Sequence, residues 1–595
     1  MDQQRNIILF AVISLGIMAL FWVVLPHFFP TYFSSPELTA PPSSTTNPGA
    51  SSTTGSNGQP SAPAAPATAP AAAFTPRPQA LANGKRIAIH SDSLLGSISL
   101  TGGRVDDLTL AKYRETVEPN SPEIVLLNPP GTKDAYYADF GWLADANAKL
   151  KLPGPDTQWS SADTALSPDH PVTLTWDNGE GLTFTRSFEL DKNYMFTVTD
   201  AVKNTGGATA QLYPYGRIRR VGTPQVIGGL YLHEGPLGVF DGTLHDGDTY
   251  SSLRKANVDY DSTGGWLGIT DKYWLVALAP DQAMGIKASF QHGMENTEDV
   301  YLTVYRAASP ISLSNGGTIS VTSHLFAGAK EVHLLANYRE QLGLPLFDRA
   351  VDFGTYFYIL TKPMFYVLDF LYRMVGNFGV AILGLTICVR LLLFPLANKS
   401  FRAMNRMKKL TPLMTELRER YKDDKQKLNQ EMMELYKREK VNPAAGCLPI
   451  FVQIPVFICL YKTLYVTIEM RHAPFFGWIR DLSEPDPTSW INAFGLFPWH
   501  LPPEIAHIPF IGGLLISIAG LGVWPIIMGI TMFLQQKMNP PPPDPVQAKL
   551  FMLLPIIFTF TLSRFPAGLV IYWSWNNLLS ISQQRLLMWR MNRKP

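Results

Sequence analysis

The residue of this 595-residue chain with the clearest capacity for chemistry is Arg390, the one charge in the apolar run from Met374 to Leu396. It precedes Lys399 by nine residues, about 13 Å along a helix, which is near the middle of a ~30 Å hydrocarbon core. Arginine at that depth costs roughly 2.5–3.5 kcal/mol on insertion scales, so it must face a bundle interior or a wet cavity. Helical spacing places Thr386, Leu383 and Gly379 on its face. Other apolar segments contribute Gln453, Thr531, Ser574, Asn576 and Asn577. No Asp or Glu occurs in the last five apolar segments, which weakens both a structural ion pair and a proton relay. A lone fixed cation attracts a visiting carboxylate; the plainer reading is an arginine held by backbone carbonyls in a packed bundle.

A second candidate is residues 399–442, with 13 Lys/Arg against seven Asp/Glu, an excess of six. Acid-before-base pairs at i,i+4, such as Glu416–Arg420 and Glu434–Arg438, support two helical halves that divide at Lys422-Asp423-Asp424-Lys425. Methionines there offer soft, adaptable apolar contacts. Arg402, Arg406, Lys408, Lys409, Met414, Arg418, Met432 and Met433 are the candidate contact residues. Such a hairpin fits anionic lipid, a ribosome surface or nascent chains, or is simply solvated.

The chain has no His-Glu-x-x-His, Walker A loop, Cys-x-x-Cys or Gly-x-Ser-x-Gly. No catalytic residue, metal or cofactor is expected. His233-Glu234 reads as a surface pair rather than a catalytic one.

The elements that must position these residues follow from where charge is missing. Charged residues are 16% of the chain, below the usual ~25%. A net charge of +2 excludes a wholesale nucleic-acid binder, and no specific nucleic-acid partner is expected. No charge falls between Arg5 and Glu37, and Ile7 to Leu25 reads as a retained transmembrane anchor within residues 1–33. Five further spans are expected at 374–396 (TM2), 445–467 (TM3), 518–536 (TM4), 550–565 (TM5) and 567–588 (TM6), with an interfacial loop over 468–517. The fifth of the six spans is short, with 14 residues between Lys549 and Arg564. At about 21 Å it requires snorkelling or a locally thinned bilayer. An amphipathic interfacial helix is predicted over 345–362, ended by Pro363. Counting Lys and Arg puts both termini, 399–442 and 537–549 in the cytoplasm.

Residues 34–80 are rich in Pro, Ala, Ser and Thr and read as a flexible tether. From 81 to about 340 short alternating runs appear, such as Val172–Trp176, Leu182–Thr185 and Met195–Thr199, separated by turns such as Asp177-Asn178-Gly179. Period-two patterning with Gly punctuation predicts a soluble, mostly antiparallel β-sandwich outside the membrane. The three cysteines, Cys388, Cys447 and Cys459, all lie beyond it, and no disulfide is implied.

A family resemblance joins these features. From about 347 to 590 the chain resembles the YidC insertases of bacterial inner membranes, in the type with a large periplasmic domain. The matching blocks include Val389-Arg390, Phe394-Pro395-Leu396, Asp423-Asp424-Lys425-Gln426, Gln430-Glu431-Met432-Met433 and Lys440-Val441-Asn442-Pro443. Gly446-Cys447-Leu448-Pro449, Gln453-Ile454-Pro455, Asp544-Pro545-Val546-Gln547 and Phe565-Pro566-Ala567-Gly568-Leu569 continue the series.

The resemblance implies a six-span helical membrane protein with a five-helix insertase core and an all-β supersandwich periplasmic domain. It also implies a hydrophilic groove around Arg390, with Thr386, Gln453, Ile454, Phe457, Thr531, Tyr572, Trp573 and Asn576 on its substrate path. The implied function is insertion and chaperoning of nascent membrane proteins, with the Sec translocon, the ribosome and the bilayer as partners. Trp573 stands where the family often has a second tyrosine, and Phe394 where relatives carry Tyr. The short basic tail moves ribosome contact to residues 399–442. A secondary transporter or channel built around Arg390 is the alternative; it calls for repeated spans and membrane acids, and neither is found.

Overall fold

The structure, a computed structural model, describes residues 74–592 apart from 146, 207, 226–231, 355–356, 423, 440, 442–447, 498–517 and 540–544. The expected anchor at Ile7–Leu25 and most of the tether lie outside these residues. The described chain forms two units, a β unit ending at Asp352 and a helical unit starting at Phe353.

Alternation builds the β unit. In the strand Leu182–Leu190 every second residue, from Leu182 through Phe184, Arg186 and Phe188 to Leu190, is buried. Branched and aromatic side chains on one pleated face have to be covered, and that requirement fixes register. The strand pairs with Met195–Asn204, Leu182 opposite Asn204 and Leu190 opposite Phe196, and on its other edge with Val172–Asp177. The turn between them needs Gly179, whose φ is +74° and whose N–H donates to Asp177 Oδ1 at 2.7 Å. The strands form an eleven-stranded and an eight-stranded sheet. Among the described residues the one parallel pairing is Arg86–His90 with Ala165–Leu166. The sheets meet over a core of Trp266, Phe184, Phe188, Phe196, Phe290 and Phe326, and Tyr136 donates across it to the Ile269 carbonyl at 3.3 Å. Arg186, inward by register, is paired with Asp200 at 2.7 Å.

Three expectations for this unit change. The end of the tether is already structured: Thr75 N–H donates to Gly131 at 2.9 Å, and Arg77–Ala82 is a short helix. Among the described residues the amphipathic helix expected over 345–362 is not continuous: Leu346 (φ +52°) and Gly354 (φ +81°) interrupt it, and its last residues, from Tyr358, open a separate helix. In its place a single 3₁₀ turn, Phe347–Ala350, docks on the β core. The Phe347 ring meets Trp266 edge-on at 5.1 Å, and Asp348 pairs with Arg339 at 3.3 Å. Of the apolar stripe read as membrane-facing, Ala350 and Phe353 are buried while Phe357 and Leu360 remain exposed. Glu234 is likewise buried rather than superficial, accepting from the Lys272 backbone N–H at 3.0 Å.

The helical unit contains α1 (Tyr358–Val375), α2 (Phe378–Leu392), α3 (Phe394–Arg420), α4 (Lys425–Arg438), α5 (Leu448–Val466), α6 (Val523–Met538), α7 (Pro545–Leu562) and α8 (Ala567–Asn592). Pro363 lies inside α1 rather than ending a helix before it; as the sixth helical residue it forfeits one i→i−4 bond, and the helix continues past it. The run 374–396 is interrupted twice, by Gly376 (φ +70°) closing α1 and by the break at Leu393 between α2 and α3. Among the described residues no single helix is long and apolar enough to cross a membrane; α2 and α3 qualify together but are bent by 68°.

α3 and α4 form a hairpin about its own small core of Leu410, Met414, Met432, Leu435, Tyr436 and Val441. Met414 and Met432 therefore point inward, contrary to the surface role expected of them; a hairpin of amphipathic helices must bury its one apolar stripe against itself. Arg402, Arg406, Lys408, Lys409 and Met433 remain exposed, and Arg418 is half-buried.

A polar site between α2 and α8

Three features of the sequence aim α2. Its first turn is capped by Asn377, whose Oδ1 accepts from Val380 N–H at 3.1 Å. Gly379 lies against the Phe475 ring so closely that a Cβ would stand 1.9 Å from it. Phe378, Ala381, Ile382 and Leu385 share a core with Leu464, Met470, Ile479, Leu482 and Ala567. The segment after α5 thus closes the end of the bundle where α2 and α8 begin. Its carbonyls at Glu484 and Leu482 accept from Ala567 and Gly568 N–H at 2.7 and 3.0 Å, capping α8. Asp486 caps α6, accepting from Trp524 N–H at 2.9 Å.

Eleven residues beyond Gly379, about 16 Å along α2, Arg390 reaches α8. Its Nε donates to Asn576 Oδ1 at 2.9 Å. Its Nη2 donates to the same oxygen at 2.7 Å, to the Asn576 carbonyl at 2.9 Å and to the Ser580 hydroxyl. All these acceptors are neutral. Nη1 makes no hydrogen bond among the described residues, and no carboxylate pairs with the guanidinium there. The expected structural arginine and the expected groove cation are thus partly the same object: two nitrogens are held, and one is left over.

The other expected residues fall around this contact. Tyr572, buried, accepts from Gln453 Nε2. Phe457 and Trp573 have ring centroids 4.7 Å apart at 58°, and Phe558 lies 5.9 Å from Trp573 at 40°. Thr531 accepts from Asn577 Nδ2 at 3.2 Å. Thr386 is buried one turn before Arg390, but its hydroxyl serves its own helix, donating to Ile382 O at 2.7 Å. Ile454 is exposed on α5. Ser580 was missed from sequence; its spacing four residues after Asn576 was the available signal.

The family described as "60Kd inner membrane protein" matches residues 370–594, and the one described as "YidC periplasmic domain" matches residues 86–367. A Membrane protein insertase YidC from Beijerinckia indica is 51% identical over 87% of this chain and 84% of its own length. Another, from Granulibacter bethesdensis, is 48% identical over 99% of this chain and 98% of its own. This chain belongs to the YidC family of membrane protein insertases. YidC proteins are bacterial inner-membrane proteins with a periplasmic domain, and here that domain is the β unit. Among solved structures, a crystal structure described as an active YidC insertase with its first transmembrane domain resolved covers 84% of this chain and 92% of its own, at 17% identity and a TM-score of 0.34.

Proposed function

We propose that this YidC family member inserts nascent inner-membrane segments through a polar groove centred on Arg390, acting alone or with the Sec translocon. The observation that carries this reading is the partner set of Arg390: two side chains and a carbonyl, all neutral, with Nη1 unbonded among the described residues. A cation without a fixed counter-charge in a poorly polarisable surround attracts an acidic or polar client flank strongly. The client's apolar helix then slides past Ile454, Phe457, Tyr572 and Trp573 into lipid. Burial of apolar surface, worth about 25 cal/mol per Å², drives the step without nucleotide hydrolysis.

In this reading the chain crosses the membrane six times, with both termini in the cytoplasm and the β unit as a periplasmic supersandwich. α2 is 15 residues long and α6 is 16, or about 22–24 Å of helix. Both fall short of a ~30 Å core, which supports a bilayer thinned around the groove and a lower barrier for the polar flank. The exposed basic residues of the α3–α4 hairpin supply the cytoplasmic face for ribosome and nascent chain.

Reconstituted insertion of a short client with an acidic flank tests this. Arg390→Ala is expected to slow it at least tenfold, and Arg390→Lys, which keeps charge but loses the planar fork, by less. Wild-type rates for both variants would sink the charge mechanism.

A further inference from the structure

Beyond Arg390, polar groups continue along α8 with atoms that have no partner among the described residues. Gln584 lies one turn past Ser580, and Gln583 two turns past Asn576 on the same stripe. Gln584 is 5% exposed, and its Oε1 is buried without a hydrogen bond among the described residues, while its Nε2 donates to Asn539 Oδ1 at 3.1 Å. Gln583 Nε2 is also buried and unbonded among them. α3 packs against α8 and carries Asn398 and Asn405, seven residues apart and so on one face, about 10 Å along the helix. Among the described residues Asn398 Oδ1 and Asn405 Nδ2 are buried and unbonded too.

Buried polar atoms in proteins nearly always have partners, and four orphans on two touching helices call for an occupant that supplies them. All four side chains are neutral amides, so they offer a carboxylate no charge. A carboxamide has the same donor and acceptor as a peptide group, and a half-turn about its last bond exchanges the two. Resting on the groove reading above, we propose that Asn398, Asn405, Gln583 and Gln584 form an amide track that hydrogen-bonds the extended main chain of a client's polar flank. Arg390 then recognises charge, which only some clients carry, and the track recognises backbone, which all carry.

The test uses the full chain in proteoliposomes and two clients that differ only in an uncharged flank, one of glycine and one of sarcosine, which has no N–H. In a groove that merely hydrates the flank, sarcosine crosses faster, because it has fewer donors to strip of water. With the track, wild-type protein is expected to insert the glycine flank at least threefold faster. Asn405→Leu combined with Gln583→Met removes two side chains that make no hydrogen bond among the described residues, and is expected to reverse that preference. A sarcosine advantage in wild-type protein overturns the proposal, as does an unchanged ratio in the double variant. The ratio in wild-type protein decides even where the variant folds poorly. Because neither flank is charged, failure here leaves the Arg390 test untouched, and failure of that test leaves this one readable.

Discussion

Arg390 and Asn576, 186 residues apart in sequence, share three hydrogen bonds, two of them to one side-chain oxygen of Asn576 at 2.7 and 2.9 Å. The contact fixes two guanidinium nitrogens and leaves the charge uncancelled. Asn576→Asp is therefore a sharper test of the site than loss of the arginine. A carboxylate there would pair with Arg390 in fork geometry, so the protein should fold as well as wild type yet insert acid-flanked clients at least tenfold more slowly. Asn576→Leu should do the reverse. It leaves the arginine underbonded, costs about 1.5–3 kcal/mol as a lowered melting temperature in detergent, and keeps the preference for acidic flanks in the fraction that folds.

The aromatic pair separates hydrogen bonding from surface. Trp573 packs against Phe457 and Phe558, contacts worth about 0.5–1.5 kcal/mol per pair beyond burial. Trp573→Tyr should keep insertion within about twofold, since ring stacking against both phenylalanines survives. Trp573→Ala should slow every client, charged or not. Equal rates for the two variants would remove the aromatic slide from the mechanism.

How much of this was legible in the sequence depends on the range of the signal. Strands with strict alternation, such as Leu182–Leu190, were plain because burial on a pleated face is a local pattern. Arg390 stood out because an isolated charge in an apolar run has few explanations. The partner Ser580 did not, being 190 residues away and polar without being charged. The segment from 345 to 362 read as one interfacial helix because nothing nearby in sequence reveals that Trp266 holds Phe347 against the sheet. Met414 and Met432 looked like adaptable surface until the hairpin folded them onto each other. In each case composition was read correctly, and a distant partner decided which way the side chain faced.

Asp486 gives a prediction that no local pattern offered. Its Oδ1 accepts from Thr488 N–H and hydroxyl at 3.0 and 2.7 Å and from Trp478 Nε1 at 3.1 Å, and its Oδ2 accepts from Trp524 N–H at 2.9 Å. A carboxylate at the start of α6 also complements the helix dipole. Asp486→Ala should cost roughly 1.5–3 kcal/mol and raise hydrogen exchange at the first turn of α6 well above that at its last turn. Asp486→Asn, which keeps an acceptor, should lie between. Uniform exchange along α6 in both variants would mean that the cap is not what holds this end.

His324 gives the β unit a pH-dependent contribution of definite sign. Burial pushes the His324 imidazole below its usual 6.5, and its Nδ1 faces the Thr197 hydroxyl at 3.3 Å. A histidine depressed on folding binds its proton more readily in the unfolded chain, so unfolding takes up protons as pH falls. Its contribution is therefore whole above about 6.5 and is lost as pH drops through the lower folded value. The carboxyl of Asp299 is opposed by burial but held below its usual value by hydrogen bonds from His292, Thr223 and Arg254, so its share is lost only in still stronger acid. Melting of the β unit in the full chain, followed by near-ultraviolet circular dichroism, should thus weaken in two stages on acidification. His324→Gln should abolish the upper stage alone. A variant that still loses stability just below pH 6.5 would assign that stage to another group.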